Sequence, residues 1–207
     1  METLASELEE LLAAPKAELH VHQMGAVPPA TLLELGRRHR VEMPADTVEG
    51  LREAFRFRDF AHFQECFVRY LAPCLPDAES LELATWAFFE ELAAQGVQYA
   101  EVMFAARRYA LVMPSEAFLA ALDRARRRAR TELGLEVWWI FEIGRDLPDP
   151  RQRRYWADYT LEVAIGSQDQ GVIALGLSGS EDGHPPEEFA PWFERARAAG
   201  LHSVPHA

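Results

Sequence analysis

The sequence predicts an α/β fold in which helices cover a mostly parallel sheet. Three observations support this prediction: strand-like and helix-like segments alternate, the later strands are apolar along most of their length, and glycines follow the ends of the helices. A doubly wound open sheet and a closed (β/α)8 barrel share this alternation. The hydrophobic pattern alone therefore leaves both architectures open.

The predicted elements follow one another in a regular order. Leucines at helical spacing predict a helix over 1–14, which Pro15 closes, and Pro28 and Pro29 open another helix. The five predicted strands cover 17–22, 97–104, 135–143, 172–177 and 201–206, and the helices between the later strands cover 81–95, 115–133, 155–168 and 186–199. Ser115 is expected to cap the helix that it begins.

The segment 45–95 has helical patterns and no strand-like alternation. It contains a phenylalanine set with spacings that place most members on one helical face, namely Phe55, Phe57, Phe60, Phe63 and Phe67. A helix that buries these rings in the core is favoured over a lid above a ligand pocket, although the two uses are compatible.

Composition excludes several classes of function. A formal charge of −12 argues against a nucleic-acid partner, and the arginines within 124–130 are interpreted as a solvated helix face because acidic residues flank them. No apolar run approaches the roughly 18 to 20 residues of a membrane span, and the N-terminus lacks the basic residues of a secretion signal. With Cys66 and Cys74 interpreted as reduced thiols, a cytoplasmic protein without a membrane partner is expected.

Two histidines in the first strand predict part of a metal site. His20 and His22 are two residues apart and therefore point to the same side of the strand, whereas Leu19 and Val21 are expected to point into an apolar layer. His206 falls at the end of the fifth strand. Because only a closed barrel brings the ends of strands one and five to a common centre, the three histidines favour a barrel with a zinc ion (Zn2+) at its mouth.

Several motifs then resemble those of the adenosine deaminase family. The motifs are Pro15 to His22 followed by Gly25, Arg58 to Phe63, Tyr99 to Val102, Gly176 to Glu181 and His202 to Ala207, and together they span essentially all 207 residues. The resemblance implies a TIM (β/α)8 barrel of the metal-dependent hydrolase type, present here through strand five. It also implies one zinc ion in the complete site.

Roles for individual residues follow from the same resemblance. It implies that His20, His22 and His206 bind zinc, that His22 also borders the substrate, and that Gly179 lets its backbone approach the purine ring. The implied reaction is hydrolytic deamination of adenosine or a related 6-aminopurine nucleoside. A lone glycine at a strand end is otherwise explained by an ordinary turn.

The resemblance also implies that part of the machinery lies outside this sequence. The glutamate that acts as acid and base is expected two residues after Ala207, so no catalytic residue is expected within the chain. Residues 1–207 are thus expected to form a single barrel domain that is truncated on its C-terminal side and has little activity by itself. Its two open edges are expected to promote self-association.

Two alternatives and one departure remain at this point. The first alternative is a non-catalytic half-barrel that binds metal or purine, or assembles with a complementary fragment. The second is an amidohydrolase that acts on a cyclic amide or ester, which Gly179 disfavours. The departure is Gln23-Met24 before Gly25, where the family usually has an acidic residue that contacts the ribose. An aminofutalosine-like nucleoside therefore remains open as the substrate.

Overall fold

The computed structural model describes residues 10, 11 and 14–206, and the predicted helix over 1–14 lies largely outside them. The described strands form one sheet with the order β1 to β5, and their bounds are β1 (Lys16–His22), β2 (Val97–Phe104), β3 (Glu136–Gly144), β4 (Val172–Ser178) and β5 (His202–Pro205). Every neighbouring pair is parallel. The strand order never reverses, as it would in a doubly wound sheet, so the prediction of a partial barrel is confirmed.

Helices connect the strands, as the sequence predicts. They are α1 (Pro29–His39), α2 (Val48–Ala54), α3 (Phe60–Cys66), α4 (Ala78–Ala94), α5 (Ala106–Ala110), α6 (Ser115–Arg128), α7 (Pro150–Gly166) and α8 (Ala190–Ala198). Short π-helical turns cover Phe67–Leu71 and Ala129–Leu133, and 3-10 turns cover Ala72–Cys74, Gln168–Gln170 and Pro186–Phe189. No helix among the described residues is long and apolar enough to cross a membrane.

Side-chain caps explain where the helices differ from the predicted bounds. The carboxylate of Asp77 accepts a hydrogen bond from the backbone of Ser80, so α4 begins earlier than predicted. Asp149 caps α7 in the same way, through Arg151. The prediction of a cap by Ser115 is wrong, because Ser115 is the first helical residue and no side chain caps α6.

The main core lies between the outer face of the sheet and the helices. Trp139 and Phe141 of β3 are almost completely buried there and pack close to Phe104 of β2. On the inner face, Met103, Ile140 and Ala174 form a smaller apolar cluster. This small cluster fills the interior of the curved sheet below the strand ends.

The prediction that both apolar neighbours of the histidines enter a core is correct for one of them only. Val21 packs against the main core, but Leu19 is 56% exposed. The reason is that β1 is an edge strand, which pairs with β2 alone and has no described helix packed extensively over its outer face.

The phenylalanine set is divided between core and surface. Phe55 and Phe67 pack against the core, whereas Phe57 is 45% and Phe60 is 53% exposed. The chain breaks between α2 and α3, where Asp59 caps α3, so these rings do not share a single helix. The core interpretation is therefore wrong for Phe57 and Phe60.

Candidate metal centre

The three predicted histidines meet although they come from opposite edges of the sheet. In a flat sheet, four strand spacings of about 4.8 Å would hold β1 and β5 roughly 19 Å apart. Yet Nε2 of His206 lies 3.1 Å from Nε2 of His20 and 3.0 Å from Nε2 of His22. The sheet must therefore curve strongly, as the wall of a barrel does.

The distances between the ring nitrogens suit a single metal ion. One ligand atom from each histidine lies within 4.8 Å of the other two. Imidazole nitrogens bound to zinc at about 2.0–2.1 Å in tetrahedral geometry are about 3.3 Å from one another. The two separations from Nε2 of His206 are close to this value, so the donor set suits a zinc ion.

Hydrogen bonding alone does not account for the cluster. Nε2 of His206 faces two other Nε2 atoms, and a ring nitrogen carries at most one hydrogen. It otherwise offers a single in-plane lone pair, so His206 Nε2 can make only one of the two contacts as a well-aligned hydrogen bond. A bound cation satisfies all three nitrogens at once.

Electrostatics distinguish His206 from His22. Burial lowers the pKa of His206, and the neighbouring His20 and His22 lower it further. Burial also acts to lower the pKa of His22, but the carboxylate of Glu142 outweighs it and raises that pKa. The lowered pKa of His206 favours the neutral imidazole that a metal requires.

Glu142 is a site residue that the sequence interpretation missed. It lies in β3, is 7% exposed, and places Oε2 3.1 Å from Nδ1 of His22. The available signal was a lone carboxylate inside an apolar strand, since buried charges are rare unless they are paired.

Arg145 is the second residue that was missed. Its side chain is 1% exposed, and its Nη2 donates a hydrogen bond of 3.1 Å to the backbone carbonyl of His206. Its Nη1 lies 3.6 Å from Glu181, which follows β4. Arg145 thus ties the ends of β3, β4 and β5 together and fixes the backbone that carries His206.

Gly179 lies directly after β4, on the same rim as the histidines. Its φ is +94°, a conformation that favours glycine, and a Cβ at this position would lie 2.7 Å from the carboxylate of Asp146. That carboxylate also accepts a hydrogen bond from Gln64 of α3. The structure therefore gives a local reason for glycine, beside the substrate contact that the resemblance implies.

The two residues between β1 and Gly25 have buried side chains. Met24 is 6% exposed and belongs to the main core. The Gln23 side chain is also buried, where it donates to Thr85 at 3.0 Å and accepts from the Tyr109 hydroxyl at 2.6 Å. Neither side chain is free to contact a sugar.

The fold and the histidine cluster define the class of protein. The five parallel strands form part of an amidohydrolase-type (β/α)8 barrel with three imidazoles gathered at the strand ends. The sequence model described as adenosine deaminase matches residues 15–207. The chain belongs to the adenosine deaminase family.

Curated relatives carry two different names. The chain is 38% identical over 202 residues to an adenine deaminase of Rhodospirillum rubrum, covering 95% of this chain and 57% of the relative. It is 36% identical over 198 residues to an aminodeoxyfutalosine deaminase of Streptomyces avermitilis, covering 93% of this chain and 53% of the relative. The chain thus spans little more than half the length of these relatives.

Solved structures show the same fold. The crystal structure of an adenine deaminase from Arthrobacter aurescens superposes with a TM-score of 0.79 at 28% identity, covering 94% of this chain and 58% of that one. An amidohydrolase from Burkholderia ambifaria, solved with bound zinc, gives 0.82 at 27% identity, covering 98% of this chain and 54% of that one.

Proposed function

We propose that this chain supplies the histidine ligands of a zinc-dependent hydrolase that deaminates a 6-aminopurine compound. The observation that carries the proposal is the convergence of three Nε2 atoms, with both contacts to His206 at 3.0–3.1 Å. A zinc ion held by these histidines would lower the pKa of a bound water molecule to about 7 and so would supply a nucleophile near neutral pH. In the overall reaction water replaces the amino group at C6 and ammonia leaves.

The chain's own residues have separate tasks in this proposal. His20, His22 and His206 hold the metal, Arg145 fixes the strand that carries His206, and Gly179 presents backbone to the flat base. The relatives are nearly twice as long, and we assign the group that protonates the departing amine to the part of the barrel that this sequence does not include.

Adenosine is not the preferred substrate in this proposal. The resemblance implies an acidic residue before Gly25 that contacts the ribose, but Met24 stands there and is buried in the core. Gln23 is also committed to internal hydrogen bonds. Relatives named adenine deaminase and aminodeoxyfutalosine deaminase support a free base or a modified nucleoside as the substrate.

The experiment measures ammonia release by the full-length protein with adenine, adenosine, AMP and aminodeoxyfutalosine. We expect release from adenine or aminodeoxyfutalosine, its loss after chelation, and its recovery with zinc. Adenosine as the best substrate would overturn the substrate assignment alone. Failure with every 6-aminopurine in the presence of zinc would overturn the proposal and favour a non-catalytic half-barrel.

A further inference from the structure

The carboxylate of Glu142 has a location that its strand neighbours do not explain. β3 is otherwise apolar around it, and Ile140, two residues earlier on the same face, packs in the inner apolar cluster. Only 7% of the Glu142 side chain is exposed. A buried carboxylate is strongly unfavourable unless a partner compensates the loss of hydration, so a partner is expected.

The partner in contact with this carboxylate is a metal-site histidine. Oε2 of Glu142 lies 3.1 Å from Nδ1 of His22 and has no aligned hydrogen bond to any described residue. Arg108 attracts Glu142 electrostatically, but no ion pair joins them at contact distance within the described chain. His22 is therefore the group at which this otherwise unpartnered oxygen is directed.

The contact spans the inside of the curved sheet. Glu142 is in β3 and His22 is in β1, with β2 between them. On β2, Met103 pairs in register with His22. The residue paired with Glu142 on the next strand is Gly176, which has no side chain to compete for the inner face. The Glu142 carboxylate therefore points into the barrel interior, where it has space to contact the His22 ring.

We propose that Glu142 is a positioning residue for the metal centre, which holds His22 with its hydrogen on Nδ1 and its Nε2 lone pair toward His20 and His206. The inference rests on the proposed metal function. A neutral imidazole carries one hydrogen, so an acceptor beside Nδ1 leaves Nε2 free as a ligand. Metal-binding histidines commonly have such a carboxylate behind them, and it fixes both the tautomer and the ring orientation.

The first measurement needs no metal. In the full-length protein, ¹⁵N chemical shifts of the His22 ring at high pH report which nitrogen carries the hydrogen. We expect the Nδ1–H tautomer in the native protein and a loss of this preference in Glu142→Leu, which keeps a similar volume without an acceptor. Glu142→Gln, whose amide oxygen still accepts, should keep part of the preference.

The second measurement is zinc affinity, determined by competition with a chromophoric chelator. We expect Glu142→Leu to bind zinc about 10- to 100-fold more weakly, and Glu142→Gln to fall between it and the native protein. Glu101→Gln is the matched control, because Glu101 also lies on a strand but is only half-buried and accepts from Tyr99 at 2.8 Å. It should bind zinc as the native protein does.

The outcomes separate this inference from the proposed function. An unchanged His22 tautomer in Glu142→Leu, or zinc affinity within threefold of native, would overturn the positioning role even if purines are deaminated. Failure of the native protein to bind zinc would overturn the metal function and this role with it. Circular dichroism and thermal melting verify that each variant is folded. If Glu142→Leu does not fold, Glu142→Gln replaces it in both measurements.

Discussion

Nε2 of His22 and Nε2 of His206 lie 3.0 Å apart, although 184 residues separate them in the chain. Short-range structure cannot produce such a contact. It depends on the curvature of the five-stranded sheet and on the Arg145 hydrogen bond that holds the backbone of His206 at the end of β5. The candidate metal centre therefore depends on the geometry of the whole half-barrel and not on one motif.

Replacement of His206 by alanine should remove most zinc binding. The substitution deletes the ring whose Nε2 approaches both other imidazoles. The loss of zinc affinity should therefore exceed the roughly 10- to 100-fold that is typical when a residue hydrogen-bonded to a metal ligand is removed. Metal content after dialysis measures the effect in the full-length protein. His202→Ala is the control, because His202 begins the same strand but is not part of the cluster; zinc loss in both variants would contradict the assignment.

Gly179→Ala should destabilise the protein more than Gly183→Ala. Both glycines have positive φ, +94° and +73°, so both variants carry backbone strain of about 1–2 kcal/mol. Only at Gly179 does the new methyl group meet a side chain, Asp146 at 2.7 Å, which should add about 1–3 kcal/mol. Urea unfolding measures the difference.

A second variant separates crowding from backbone strain at this glycine. In the Gly179→Ala background, Asp146→Ala should restore part of the lost stability, because it removes the crowded carboxylate. Equal stability of the two glycine variants, or no such restoration, would show that Asp146 does not limit this position.

The sequence was sufficient for the alternation, the parallel sheet and the three histidines, because strand parity and strand ends are encoded locally. His20 and His22 share a face by spacing alone, and His206 follows an apolar strand. What these patterns do not encode is the partner across the barrel. Glu142 contacts His22 from two strands away, and nothing in its neighbourhood in the sequence specifies that distance.

The errors have the same physical origin. Leu19 alternates like a buried residue, yet it is exposed because no described helix packs extensively over the outer face of the edge strand β1. Phe57 and Phe60 fit a helical apolar spacing, yet both are exposed because the chain breaks between α2 and α3. In both cases the tertiary environment determines whether the side chain is buried. The local sequence pattern indicates only that the side chain is apolar.

Tyr109→Phe should cost about 1–3 kcal/mol of stability. The Tyr109 hydroxyl donates to Oε1 of the buried Gln23 at 2.6 Å, and burial raises the pKa of Tyr109 far above its ordinary value, so it remains a donor. Phenylalanine would leave that amide oxygen without this donor. Chemical denaturation gives the cost, and Tyr155→Phe, at a side chain 62% exposed, should change stability by less than about 0.5 kcal/mol. Similar values for both variants would argue against the buried network.

The Asp77 cap should make α4 sensitive to acid. Burial acts to raise the pKa of Asp77, but hydrogen bonds from Ser80, together with nearby His39 and Arg38, outweigh it and lower that pKa. Because the folded value is below the unfolded one, the stabilisation is present above about pH 4, near the ordinary aspartate pKa, and is lost as the pH falls through the folded value.

Two variants test this cap. Asp77→Ala should lose about 1 kcal/mol at neutral pH, whereas Asp77→Asn should keep most of the cap because its amide oxygen still accepts. The native protein should lose stability relative to Asp77→Asn between pH 5 and pH 2, measured by urea unfolding at each pH. A difference between these two proteins that does not change with pH would contradict the role of the charge.

The 207-residue polypeptide, prepared by itself, should self-associate. Among the described residues, β1 and β5 each pair with a single neighbouring strand, so both expose backbone groups along an edge. Leu19 adds apolar surface that is 56% exposed. Analytical ultracentrifugation over a range of concentrations should show species larger than a monomer, and Leu19→Lys should shift the distribution toward monomer because charge on an edge strand opposes pairing. A monodisperse monomer with a cooperative thermal transition would contradict this expectation. It would mean that the open edges of β1 and β5 and the exposed Leu19 side chain do not cause association.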